Sequence, residues 1–206
     1  MTALQSAPSA SALRIVLAAE RLFAAYGIDG VSLRQISAEA GSGNNSAVHY
    51  HFGSKDGLIR AIFDHRIPQL TRDRQLLAAR RDPQDLRSIF EAQFLPVLVL
   101  AADPEAHYVS FVEQLQRHPE SHLVERLSDV WQESNTEFAG DIARLLGHLD
   151  GEVRGVRIQQ AEMACLHAAA DYERDVAAGV ERERFELFAG SLFDGITGFL
   201  AAPTGS

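Results

Sequence analysis

The sequence has one cysteine, few glycines and prolines, and no long hydrophobic run. The lone Cys165 excludes an internal disulfide and a cysteine-based zinc cluster, and it suits a reducing compartment. The longest apolar stretch, residues 94–102, is half the length that a membrane-spanning helix needs. Residues 1–11 are small, polar and uncharged, so they do not form a secretion signal. These absences predict a cytoplasmic protein without membrane spans.

Negative charge exceeds positive charge, but the excess lies in one part of the chain. The formal net charge is −9; residues 1–66 carry six Lys/Arg against five Asp/Glu, and the remaining 140 residues carry 13 against 23. A near-neutral N-terminal segment beside an acidic remainder directs the N-terminal segment, and not the rest, toward nucleic acid.

Apolar side chains recur at helical spacing along the chain, and no strand pattern of useful length appears. Asp82-Pro83 and Asp103-Pro104 each predict a helix start, with a capping carboxylate before a proline. The sequence therefore predicts an all-α fold of about nine helices, with a hinge near Pro68. Its predicted parts are a tail (residues 1–9), a three-helix domain with a helix-turn-helix (10–54), a larger helical domain (55–201) and a second tail (202–206).

Residues 31–58 predict a helix, a turn, a second short helix and the start of a third. Ser32 and Gln35 form a capping box, and Ser54 caps the third helix. The short helix should bury Val48 and Phe52, and its outward side holds amides, a hydroxyl and rings but no carboxylate. A helix of this width fits the major groove of B-DNA. We therefore expect DNA contacts from Ser32, Arg34, Asn44, Asn45, Ser46, His49, Tyr50, His51 and Lys55.

These residues resemble the DNA-binding domain of TetR-family transcriptional regulators. The matching segments are Leu22-Phe-Ala-Ala-Tyr-Gly27, Gly30-Val-Ser-Leu-Arg-Gln-Ile-Ser37, Ala40-Gly41 and Tyr50-His-Phe-Gly-Ser-Lys-Asp-Gly-Leu58. Ten residues lie between Gly41 and Phe52, one more than in most members, and we place the extra one in the turn at residues 42–44. The resemblance implies a DNA-binding repressor, in which Tyr50, His51 and Lys55 contact phosphates.

The last two predicted helices, about residues 152–178 and 181–200, are apolar over more than one stripe. A helix that is apolar nearly all round must be covered on two sides. We interpret the second side as a contact with a second copy, which the resemblance also implies; the alternative is that one chain buries both. A twofold dimer would read a near-palindromic operator. The expected interface residues are Ile158, Cys165, Ala169, Tyr172, Phe188, Leu192, Phe193, Ile196 and Phe199.

A cavity for a small, mostly apolar effector is predicted between the helices of the larger domain, mainly because the resemblance implies one. Such pockets are apolar with a few polar groups. The alternative is that the same residues form ordinary core. The candidate lining residues are Phe90, Phe94, Leu98, His107, Tyr108, Phe111, Leu115, Trp131, Phe138, Met163 and His167.

Motifs for catalysis, metals and cofactors are missing from the sequence. Pro119 separates His118 from His122, and neither G-x-S-x-G, G-x-G-x-x-G nor a P-loop occurs. We therefore expect no catalytic residue, no metal and no cofactor. Two other classes remain open: a helical enzyme, or a protein–protein adaptor, either of which would use the N-terminal helices only for packing.

Overall fold

The computed structural model describes residues 9–41, 46–117 and 129–203, with the backbone alone for residues 46–47 and 129–134. Within these ranges the chain is helical apart from its connections, as predicted, and no helix there is long and apolar enough to cross a membrane. The helices are α1 (Ala10–Tyr26), α2 (Leu33–Glu39), α3 (Ser46–Phe52), α4 (Lys55–Ala78), α5 (Leu86–Ala101), α6 (Tyr108–Gln116), α7 (Asp129–Leu145), α8 (Gly151–Ala177) and α9 (Phe185–Ala201).

Local side chains cap the first helices. Ser9 Oγ accepts a hydrogen bond from the N–H three residues on, at 3.2 Å. Ser32 Oγ accepts from the Gln35 N–H at 3.2 Å, and Gln35 Oε1 accepts from the Ser32 N–H at 2.8 Å. Ser54 Oγ accepts from the Gly57 N–H at 3.1 Å. The predicted capping box and the predicted start of the third helix are therefore confirmed.

Two predicted helix starts are wrong. Asp82 and Asp103 each accept a hydrogen bond from the N–H two residues on, at 2.8 and 3.0 Å, so they form turns. The helices begin later, α5 at Leu86 and α6 at Tyr108. Asp85 caps α5 by accepting from the N–H three residues on, at 3.0 Å. The predicted start of α9 was also early, by four residues.

Proline does not divide the fourth and fifth helices. Pro68 lies inside α4 and Pro96 inside α5, and each helix continues past it. We call α1 to α3 with the first turns of α4 the head, and the remainder the body. Because α4 runs without interruption from one into the other, the hinge expected near Pro68 stays a prediction.

Aromatic rings join the head to the body. The Phe111 ring of α6 packs against Phe23 of α1 and Phe63 of α4, with centroids 6.2 and 5.6 Å apart. All three side chains are at most 2% exposed. Each ring removes a large apolar area from water, so this contact fixes α1 and α4 against α6.

A buried carboxylate on α1 connects three helices at the same junction. Glu20 is 1% exposed, and its oxygens accept hydrogen bonds from Arg66 Nε and Nη2 at 2.8 and 2.7 Å. Glu20 Oε1 also accepts from the backbone N–H of His107 at 3.1 Å. Arg66 belongs to α4 and His107 immediately precedes α6. We call Glu20, Arg66 and His107 the junction cluster.

The start of α6 is capped by another helix. His107 occupies the N-cap position but makes no side-chain capping bond. Glu173 of α8, 1% exposed, accepts from the N–H groups of Val109 and Ser110 at 2.9 and 2.8 Å. A carboxylate there satisfies N–H groups that the helix itself leaves open. Burial nevertheless raises the pKa of Glu173 to about 7, against the lowering effect of these bonds.

Glu173 should make the folded chain less stable as pH rises. Between its ordinary pKa of 4.5 and about 7, the folded chain holds a proton that the unfolded chain releases. The contribution is complete below pH 4.5 and is lost as pH rises through about 7. Relative to Glu173→Gln, the wild type should lose about 2 to 3 kcal/mol of unfolding free energy between roughly pH 5 and 8. Urea unfolding of both proteins at several pH values measures this loss. A difference in unfolding free energy between wild type and Glu173→Gln that stays constant with pH would contradict the prediction.

Candidate nucleic-acid interface

The short helices α2 and α3 each bury one side and expose the other. Ile36 and Val48 are fully buried, and Leu33 and Phe52 pack against the same core. Val48 and Phe52 are the inward positions predicted for the short helix. On the outer side of α2, the Arg34 side chain is exposed in the first turn.

The exposed side of α3 is aromatic. His49, Tyr50 and His51 are all exposed, and Tyr50 reaches 85%. The rings of Tyr50 and His51 meet edge to face, with centroids 5.1 Å apart. No carboxylate occurs in α3. The helix therefore presents hydrogen-bonding rings without an acidic group of its own that would repel phosphate.

The turn from α3 into α4 is tightly fixed. His49 Nδ1 lies 2.9 Å from the carbonyl oxygen of Gly53, a residue with φ of 72°. The carbonyl can only accept, so Nδ1 carries the proton, and Nε2 of the neutral ring is an acceptor. At Gly57 an added Cβ would lie 2.0 Å from the Phe52 carbonyl oxygen, so only glycine fits there. The orientation of α3 relative to α4 is thereby constrained.

Lys55, the only lysine in the chain, reaches back into the head. Its Nζ donates to the backbone carbonyl of Ile28 at 2.8 Å, across 27 residues of sequence. Ile28 is 4% exposed and lies in the link between α1 and α2. The ammonium thus fastens the start of α4 to the segment that precedes α2. Nothing local in the sequence signals this contact.

The predicted DNA-contacting residues fall into three groups. Those exposed to solvent are Ser32, Arg34, Tyr50 and His51. Those whose polar atoms already hold a backbone carbonyl are His49 and Lys55. Those outside the described residues are Asn44 and Asn45, together with the extra residue of the turn and the side chain of Ser46.

Two acidic residues border this surface. Glu39, at the end of α2, forms an ion pair with Arg21 of α1. Asp56 is exposed in the first turn of α4, next to the cap at Ser54. A carboxylate there stabilises the helix start but reduces its attraction for a phosphate. The first turn of α2 has no acidic residue.

The residues predicted to line an effector cavity are distributed over the body. Phe94 stacks on Phe90 with centroids 4.5 Å apart. His107 and His167 line an open recess of about 520 Å³ between α1, α6 and α8. Met163 is 56% exposed, which corrects its assignment to an enclosed cavity. The Trp131 side chain lies outside the described part, and an apolar cavity stays a prediction. Of the predicted lining residues, those at most 4% exposed are Phe90, Leu98, Tyr108, Phe111, Leu115 and Phe138.

Most of the residues predicted for a dimer contact lie inside one protomer, which corrects that assignment. Tyr172 of α8 stacks on Phe188 of α9, with ring centroids 4.3 Å apart. Phe193 of α9 contacts Phe90 of α5, with ring centroids 6.3 Å apart. These buried residues of α8 and α9 therefore pack against neighbours in the same chain. Ile158 and Leu192 are partly buried against this core, and Phe199 is 42% exposed. Of the residues predicted for the dimer contact, those at most 9% exposed are Cys165, Ala169, Tyr172, Phe188, Phe193 and Ile196.

Residues 15–62 match the family model described as bacterial regulatory proteins, tetR family, which confirms the resemblance of the head. No curated protein matches the chain. A crystal structure described as a TetR-family transcriptional regulator from Mesorhizobium loti is 15% identical, with 93% of this chain and 95% of that one covered and a TM-score of 0.46. A TetR-family protein from Vibrio parahaemolyticus is 19% identical, with 88% and 95% covered and a TM-score of 0.43.

Replacing Lys55 with methionine should destabilise the chain more than it changes electrostatic attraction to DNA. The Ile28 carbonyl would lose a charged donor, at a cost of about 1.5–3 kcal/mol. Because its bond to the Ile28 carbonyl holds Nζ within the head, we expect Nζ not to reach a phosphate, so the slope of log affinity against log salt should stay unchanged. Urea unfolding and fluorescence anisotropy at several salt concentrations measure the two effects.

Arg34→Met is the matched control, because it removes an exposed cation from the same domain. It should leave stability within about 0.5 kcal/mol and reduce the salt slope by about one. If Lys55→Met reduced the slope by the same amount without loss of stability, Lys55 would be a phosphate contact and not a structural one.

Proposed function

We propose that this chain, whose residues 15–62 match the tetR-family model, is a homodimeric, sequence-specific DNA-binding regulator that acts as a repressor in the cytoplasm. The exposed side of α2 and α3 carries the proposal. Both helices are held by short, defined contacts, and α3 offers aromatic and imidazole groups with no acid. In helix-turn-helix proteins the second helix lies in the major groove and the first crosses the backbone.

The exposed groups suit different parts of a duplex. The guanidinium of Arg34 can donate to guanine or to phosphate, and the hydroxyl of Tyr50 to phosphate. His49 has only Nε2 left, and an acceptor suits the amino group of cytosine or adenine. Asn45, chosen from the sequence, is our candidate for an adenine edge. Base contacts would thus come from α3 and backbone contacts from both helices.

Charge contributes little to this binding. Residues 1–66 have six basic against five acidic side chains, and the single lysine among them already holds a backbone carbonyl. Few phosphates can be neutralised, so affinity for random DNA should be modest and the salt slope shallow. Discrimination then depends on how accurately α3 is positioned.

The surface for a second copy is the outer side of α8 and α9. Leu187 on this side of α9 is 58% exposed, and Phe199 near its end is 42% exposed. Between them, at helical spacing, lie the exposed Ser191, Gly195 and Gly198. A large apolar side chain beside small ones allows two helices to approach closely.

Among the residues that the structure describes, none packs closely enough against these two glycines to require the absence of a side chain. A Cβ added at Gly195 or Gly198 would meet nothing within 4 Å. Glycine inside a helix costs about 1 kcal/mol relative to alanine, so its presence needs another reason. A facing helix from a second copy supplies one. A twofold axis there would place two α3 helices about 34–36 Å apart, or a multiple, on a near-palindrome.

Release from DNA would pass through the junction cluster. Glu20 bonds to Arg66 of α4 and to the backbone just before α6, so a shift of α6 in the body moves α1 in the head. An effector can change operator affinity only by preferring one of the two arrangements. The proposal therefore needs an effector that binds the body and displaces α6.

Selection of bound duplexes from a random pool, with the full chain, tests DNA recognition. A near-palindrome should be enriched. Tyr50→Ala should then weaken operator binding about tenfold or more, because an exposed contact on α3 is lost. Tyr26→Ala is the matched control, since Tyr26 is 69% exposed at the end of α1 and should leave affinity unchanged. No enrichment, or equal losses in both variants, would refute the proposed recognition surface.

Sedimentation equilibrium tests the dimer surface. Leu187→Asp should convert the dimer into a monomer, because the substitution places an unpaired carboxylate in an apolar contact. Leu76→Asp is the matched control: Leu76 is 60% exposed on α4 and lies away from α9. A monomeric wild type, or a Leu187→Asp protein that still dimerises, would exclude this face.

A further inference from the structure

We propose that the open recess between α1, α6 and α8 binds a small organic carboxylate. The recess has a volume of about 520 Å³ and lies at the boundary of head and body. One wall is the last part of α1, and the others are α6 and the second half of α8. It differs from the apolar cavity expected inside the body, because it opens to solvent and carries several ionised groups.

Glu113 organises the cations of this recess. The residue is 7% exposed, and its carboxylate is bonded by Arg174 Nη1 at 2.8 Å, by His167 Nδ1 at 2.6 Å and by Arg117 Nη2 at 3.2 Å. Burial alone would raise the pKa of Glu113, but the bonds from His167 and Arg174 hold it below its ordinary value. The carboxylate is thus ionised and surrounded, and it fixes the positions of both arginines.

The arginines keep the capacity to bind a second anion. A guanidinium has five N–H donors in a planar fork, and one bond to Glu113 engages only part of it. Arg21 of α1 lines the opposite wall. Among the lining residues, three arginines stand against one carboxylate. A neutral ligand would leave these donors unused.

Two further carboxylates contact these arginines from outside the recess. Glu39 pairs with Arg21 and Asp171 with Arg174, and both acids are exposed, by 41% and 50%. Exposed pairs are weak because solvent and salt screen them. An anion that enters the recess can therefore replace them at little cost, with better shielding from water.

The remaining lining restricts the class of anion. Ala24 and Ala25 of α1 and Ala177 and Ala178 at the end of α8 form an apolar wall. A small hydrocarbon or aromatic group can rest there while its carboxylate faces the arginines. The neighbouring recess of about 660 Å³ is less suited to an anion, because its lining contains as many acidic residues as arginines, three of each. Those acids are Glu39, Asp103 and Glu105.

A ligand in this recess would touch head and body at once. Arg21 belongs to α1, whereas Arg117 follows α6 and Arg174 belongs to α8. The recess is also lined by His107, whose backbone N–H donates to Glu20 in the junction cluster. Occupancy would therefore restrain α1 relative to α6. Binding itself does not depend on the proposed DNA recognition.

Calorimetric titration of the full-length chain with benzoate tests the site, with benzamide as the neutral isostere. Benzoate should bind, and the affinity for benzamide should be lower by about tenfold or more, because only the carboxylate forms charge-assisted bonds. The His107 and His167 ring signals in NMR spectra should move with benzoate. Equal affinity for both compounds, or no benzoate binding at about 10 mM, would overturn the proposal.

Arginine variants locate the bound anion. Arg117→Gln should weaken benzoate binding about fivefold or more, and its side chain is 66% exposed, so the fold should tolerate the change. Arg21→Gln tests the opposite wall in the same way. Arg80→Gln is the matched control, because Arg80 is exposed at the end of α4 and does not line the recess. Unchanged affinity in Arg117→Gln and Arg21→Gln would place any bound benzoate elsewhere and refute the site.

Discussion

A carboxylate that has no access to water holds the head and body of this chain together. Glu20 is 1% exposed, and it is tolerable there only because Arg66 and the His107 N–H donate to it. Removing one partner from such a buried pair typically costs about 3–5 kcal/mol, whereas the intact pair contributes little net stability. The pair instead restricts the arrangement of the helices, because α1, α4 and α6 can form all the hydrogen bonds to Glu20 in only a narrow set of relative positions.

The same dependence appears at the start of α6. The helices α1, α2 and α4 are capped by serines from their own sequence, whereas α6 receives its caps from Glu20 of α1 and Glu173 of α8. A helix capped by distant residues forms properly only when those residues are in place. Formation of α6 is thus coupled to the docking of α1 on one side and α8 on the other. This arrangement makes α6 the natural carrier of any change between body and head.

Local chemistry made much of the fold predictable. Ser32, Gln35 and Ser54 act within one helical turn, and helical spacing separates buried Ile36 and Val48 from exposed Arg34 and Tyr50. The all-α class and the outward side of α2 and α3 follow from such short-range rules. Asp82 and Asp103 show their limit, since the same carboxylate can satisfy either a helix start or a turn.

Long-range contacts explain what the sequence could not reveal. Lys55 lies 27 residues from the Ile28 carbonyl, so its bond within the head could not be predicted from the sequence, and its contact with phosphate stays a prediction. Glutamate is usually exposed, and the sequence around Glu20 and Glu173 contains no pattern that indicates their burial. The recess depends on Arg21, Arg117 and Arg174, which three separate segments bring together. Pairings of this kind are set by packing and not by any local preference.

The last two helices show why apolar periodicity alone does not identify a partner. Cys165, Tyr172 and Phe193 are as apolar as an interface requires, yet the chain's own helices cover them. On the outer side of α9, the glycines at 195 and 198 weaken the helix, and a Cβ added there would meet none of the described residues within 4 Å; Gly140 of α7 and Gly155 of α8 share this property. A position that lowers stability in one molecule but permits close approach by another is better evidence for association than hydrophobicity is. By that criterion the proposed second copy would lie against Gly195 and Gly198 beside the exposed Leu187, while the buried aromatic side chains stabilise the single chain.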